Sequence, residues 1–205
     1  MEVIVCDFNK ISRLIIAAQV AFLASLAIVI AAIVLGSNPF TSLANIPAML
    51  GCAGLAATAS GLLARALASL DQCANGPCVA SVANLRTNLI VLIASMATYA
   101  AAQVALALVA GIPGVSSATA LALSLWAVSL STLFAAMASG SLGNTIQAFN
   151  TCMDQQGQGN NAATTVIVVL SVLVTIAAVF VGASAGVANG TFPCVGPTCK
   201  WNFQL

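Results

Sequence analysis

The apolar residues of this chain come in long unbroken blocks divided by short polar breaks, and those blocks carry the structural signal. Five of them reach the roughly 20 residues needed to cross a hydrocarbon layer: 14–35, 46–70, 89–111, 118–140 and 162–188. The first, "LIIAAQVAFLASLAIVIAAIVL", holds no charge, whereas the second is richer in Gly and Ala, opens at Pro47 and carries Arg65 near its end. Alternation with period two is absent, and a long apolar run satisfies its own backbone in lipid as a helix. The pattern predicts an all-α fold, a polytopic membrane helix bundle of five transmembrane helices. It forms a single transmembrane domain over 1–205 that ends in a short extramembrane tail, 189–205. After residue 140 the polar stretch "SLGNTIQAFN" contains no proline, so the fourth helix is expected to run on past the bilayer to about Asn150. The first block exceeds the 7–15 apolar residues of a signal-peptide core, which favours a retained span.

Composition narrows the class. Of 205 residues, 61% are hydrophobic and 4% charged, and histidine is missing. A water-soluble domain carries roughly 25% charged residues, and a disordered one needs low hydrophobicity, so neither fits. The formal net charge of +1 gives no cluster of cations for nucleic acid, whose binding depends on neutralising phosphates.

Charge also suggests a direction. With five crossings the termini fall on opposite sides. The N-terminal side collects Lys10, Arg13, Arg65 and Arg86, together with Glu2, Asp7, Asp71 and Asp154, and Lys200 alone stays on the other. Positive residues near short loops mark the cytoplasmic face. The expectation is an N-terminus in the cytoplasm and a C-terminus outside or in a lumen. Disulfides persist in oxidising compartments, so a bridge is predicted between Cys194 and Cys199, while Cys73 and Cys78 are expected to be reduced. With Cys6 and Cys152 these make four thiols on the N-terminal side, but one C-x4-C spacing without histidine is a poor zinc signature. Free turn-flanking thiols, or palmitoylation of Cys6, account for them more simply. Cys52 reads as a small packing residue. Asn189-Gly190-Thr191 matches the N-glycosylation pattern but abuts the end of the fifth span.

Helix contacts are signalled by small residues every fourth position, which let backbones approach closely in lipid. Such stripes run through Ala178, Gly182, Gly186 and Gly190, through Ala53, Ala57 and Gly61, and through Ala136 and Gly140. They predict internal packing first and an oligomer interface second. A faint repeat accompanies them: "ASGLLARALASLDQC" aligns with "ASGSLGNTIQAFNTC", placing Cys73 over Cys152. Taken as real, it makes the fold two hairpins in the same orientation plus a fifth helix. Gln19 and Gln103 are the main polar groups at membrane depth, and no Asp, Glu, Lys or His lies near the middle of a span.

In outline the Gly/Ala-rich hairpins resemble the proteolipid subunits of rotary ATPases, but the mid-helix carboxylate of that family is missing from the second and fourth spans. A superficial likeness to tetraspanins fails on the short loops "GSNPFTS" and "IPGVSS". The inventory for general acid–base chemistry is missing too, and C-x4-C is not the C-x-x-C of thiol oxidoreductases. A non-enzyme without cofactor or metal is expected. The leading expectation is a scaffold or accessory subunit, with the lipid bilayer and other transmembrane proteins or copies of itself as partners. The alternative is an oligomeric passive channel or transporter for a neutral or apolar solute, lined by Gln19 and Gln103.

Overall fold

The computed structural model describes residues 6–35, 45–74, 77–111 and 118–191. They form five helices: α1 (Phe8–Val34), α2 (Ile46–Asp71), α3 (Val79–Gly111), α4 (Ala118–Asp154) and α5 (Asn161–Ala188). The expected all-α bundle is what the chain adopts, and each helix is long and apolar enough to cross a membrane. Each packs on its neighbours in sequence, and α5 returns to pack beside α1. The result is a closed ring in which α1 and α5 run parallel.

The ring is filled. Phe22 meets Tyr99 edge-on across it, with centroids 5.6 Å apart, and Phe8 packs on Phe149 at 5.5 Å. Around these pairs Ile11, Ile15, Leu26, Leu63, Leu85, Leu89 and Leu92 are fully buried.

Several helices are longer than their apolar blocks, and the excess lies at the N-terminal end of the bundle. Helix α3 begins ten residues before its apolar block, and α4 continues to Asp154, beyond the expected end near Asn150. At 1.5 Å per residue these two helices span about 50 and 55 Å, against roughly 30 Å of hydrocarbon. The overhang is built from the starts of α1, α3 and α5 and the ends of α2 and α4, and forms a polar-surfaced cap. Local sequence fixes its edges. Asp7 caps α1 by accepting from the Lys10 backbone N–H at 3.0 Å, and Asn160 caps α5 by accepting from that of Ala163 at 3.0 Å. Gly157, with φ +72, makes the turn between α4 and α5.

Candidate functional site

At the cap the four cysteines of the N-terminal side are paired. Cys6 is bonded to Cys73, and Cys78 to Cys152. This corrects the expectation that Cys73 and Cys78 are free and reduced, and it rules out a lipidated Cys6 in this state. The sequence argument failed because it took the redox state from the charge-based orientation. Each bond closes the open end of one hairpin, α1 with α2 and α3 with α4. The two staples thus close corresponding ends of the two hairpins, although the repeat superposes only Cys73 and Cys152, the bonds spanning 67 and 74 residues. Cys194 and Cys199, for which a bridge was expected, lie outside the described residues. Cys52 is the unpaired cysteine among the described residues and is buried, and no cluster of three or more potential metal ligands occurs among them.

The rest of the cap is tied by amides and one ion pair. Asn160 donates from Nδ2 to Asn9 Oδ1 at 2.7 Å, linking the α5 start to α1. Asn150 accepts from the Asn160 backbone N–H at 2.7 Å and donates to Asn161 Oδ1 at 2.6 Å, linking α4 to α5. Asn88 bridges α3 to α4, donating to Thr145 at 3.1 Å and accepting from Ser141 at 3.0 Å. Arg86 Nε lies 3.5 Å from Asp71 Oδ1, spanning α2 and α3. Gln156 donates to the Cys78 sulfur at 3.1 Å, and Met153 sulfur packs 3.9 Å from that of Cys6.

Deeper in the bundle the two glutamines differ. Gln19 donates from Nε2 to Ser171 Oγ at 2.7 Å, joining α1 to α5, while its Oε1 has no partner. Gln103 leaves Nε2 unpartnered and lines a cavity of about 10 Å³ with Cys52, Met49 and Val29. That is near the smallest space that holds one water. Beside it Ser25 and Cys52 exchange bonds across α1 and α2: the hydroxyl donates to Cys52 O at 3.0 Å and the thiol to Ser25 O at 3.4 Å. Ser25 and Cys52 were not singled out as a pair by the sequence, because positions on two helices converge only once the ring closes.

The small-residue stripes fall into two kinds. Ala178, Gly182 and Gly186 are buried. A methyl group on Gly182 would come within 2.6 Å of Thr132 Oγ1, 3.1 Å of Leu133 and 3.2 Å of Ser129 O. Its carbonyl also accepts from the Ser129 hydroxyl at 2.9 Å. Ala53 and Ala136 are buried as well; Ala57 and Gly61 face outward, while Gly140 is exposed but lies beside α5, where a methyl group would meet Thr175 Oγ1 at 3.8 Å. Gly190 is exposed just past the α5 C-cap residue Asn189, at φ +76, and plays a terminating role rather than a packing one. Asn189 accepts from the Thr191 backbone N–H at 2.9 Å. On α2 the outward face reads Gly51, Gly54, Ala57, Thr58 and Gly61, and a methyl added at any of these glycines meets nothing within 4 Å.

No protein-family model matches this chain, and neither a curated protein nor a solved structure does. The functional reading therefore rests on its own residues.

Proposed function

We propose that the chain is a non-catalytic membrane scaffold or accessory subunit, a closed five-helix body that offers outer helical faces to other transmembrane helices or to copies of itself. The observation that carries this is where the polar groups point. Gln19 is engaged by Ser171 inside the ring, while the smooth outer face of α2 is left for close approach by another helix. In lipid such approach is the main source of helix association. The alternative of an oligomeric conduit for a neutral solute draws on Gln103, whose unpartnered amide lines a small cavity. Purification in mild detergent tests the first reading: a stoichiometric partner or a defined oligomer is expected. A particle that conducts a neutral solute into liposomes, and stops doing so as Gln103→Leu, would replace it with the second.

The two staples also bear on orientation. Charge places Lys10, Arg13, Arg65 and Arg86 in the cytoplasm. Bonds between Cys6 and Cys73 and between Cys78 and Cys152 favour the opposite, since cytosolic thiols are kept reduced outside hyperthermophiles. The positive-residue rule is a bias on insertion, whereas reduction in the cytosol acts continuously on any accessible bond. We therefore favour an integral membrane protein whose cap lies outside or in a lumen. Impermeant reductant followed by impermeant thiol reagent on intact cells should label Cys6 and Cys152, the partly exposed members of each pair. Labelling of these two only after permeabilisation would restore the charge-based direction.

A further inference from the structure

Two polar groups on α3 sit inside the ring without a partner. Tyr99 and Gln103 are 0% and 1% exposed, and a spacing of four residues sets them on one face of the helix. Neither the Tyr99 hydroxyl nor Gln103 Nε2 makes a hydrogen bond among the described residues, although that hydroxyl comes near the side chains of Ser25 and Gln103. A buried amide or hydroxyl left unpaired is destabilising, and at membrane depth no bulk solvent relieves it. Gln103 Nε2 can only donate, so what it lacks is an acceptor.

The cavity at Gln103 has the size and chemistry to hold one. Its volume of about 10 Å³ stands at the threshold for a single water and below that for any larger ligand. A buried water is held by about three polar partners. Three polar side chains line this cavity: Gln103, Asn45 with its amide carbonyl, and Cys52 with a sulfur that accepts weakly. Val29 and Met49 supply apolar contact. We propose that the cavity is a binding site for one water molecule, which accepts from Gln103 Nε2 and donates to Asn45, tying α3 to the start of α2. Asn45 is the N-cap residue of α2, at the end of the bundle away from the cap. Cys52 follows it by seven residues, which sets the site about 10 Å in from that end at 1.5 Å per residue. The proposal holds under either reading of function, because one water in a closed seam is neither a conduit nor an assembly surface.

The test is radiolytic footprinting of the full chain in lipid nanodiscs. An X-ray pulse makes hydroxyl radicals where water is bound, and mass spectrometry then reads the oxidised side chains. Met49 and Met96 are both shielded, at 2% and 0% exposed, but Met49 lines the cavity and Met96 does not. Met49 and Cys52 should therefore gain oxygen several-fold faster than Met96, and Gln103→Leu should bring Met49 down to the Met96 rate. Equal rates at Met49 and Met96 in the wild type would overturn the site, whether both are slow, from a dry cavity, or both fast, from a continuous hydrated path. That arm needs no variant, so it decides even if Gln103→Leu fails to fold. Met49 oxidation unchanged in folded Gln103→Leu would overturn the amide as the group that holds the water.

Discussion

The cap and the mid-membrane body of this bundle are held together in different ways. At the cap, each of the five seams of the ring carries a polar or covalent tie: two disulfides, the Arg86–Asp71 pair, and the Asn150 and Asn160 links. Within the apolar spans the seams rely on close backbone approach, as at Gly182. A few hydrogen bonds supplement it, such as Gln19 to Ser171 and the Ser25–Cys52 exchange. The contrast follows from the solvent. Water at the cap competes for every hydrogen bond, so a single amide contact is worth little there and covalent closure is worth more. Lipid does not compete for hydrogen bonds, yet it also supplies no hydrophobic drive between helices, so fit decides.

Removing the staples should separate the two regions most clearly. Loss of a native disulfide costs about 2–5 kcal/mol in a small domain. The double variant Cys73→Ser/Cys78→Ser is expected to lower the thermal midpoint by the largest margin of any change considered. Alkylation of buried Cys52 should show whether the cap alone loosens or the body opens with it: a rate unchanged from wild type means that the body holds by itself. Next in size is Gly182→Ala, whose methyl group would sit against Thr132, Leu133 and Ser129. Overpacking of this kind costs about 1–3 kcal/mol, whereas Gly61→Ala, facing open space, should change the midpoint little. A thermal scan of both in one detergent checks the pair.

Smaller effects should again sort by region. Asn160→Ala removes the α5 cap and the tie to Asn9, at about 1 kcal/mol for the cap. It should speed hydrogen exchange at the first turn of α5 without touching the spans. Gln19→Leu gives up the bond to Ser171, worth about 0.6–2 kcal/mol in such settings. It also removes the unpartnered Oε1, so the net loss should fall at the low end. A midpoint drop larger than that of Gly182→Ala would mean that hydrogen bonds rather than fit hold the body.

How much of this was legible in the chain differs between the same two regions. The five spans could be read because apolar length is a local property, and the glycine stripe of α5 could be read because four-residue spacing fixes a face. The cap was not legible as a structure. Residues 79–88 are polar enough to look like a connection, and the expected extension of the fourth helix to about Asn150 carried no sign of what it packs on, although Val82, Leu85, Phe149 and Met153 are buried. Four cysteines allow three pairings, and nothing local chooses among them. The faint repeat was the one usable signal, since Cys73 and Cys152 turn out to occupy the same place in their hairpins. The stripe on α2 shows the converse limit, because spacing alone does not say whether Gly61 faces a neighbour or the membrane.

The staple pattern is tested most directly by blocking thiols as native membranes are lysed and mapping linked peptides without reduction. The account predicts Cys6 joined to Cys73 and Cys78 joined to Cys152. Recovery of these four residues as alkylated thiols, or of Cys73 joined to Cys78, would contradict it.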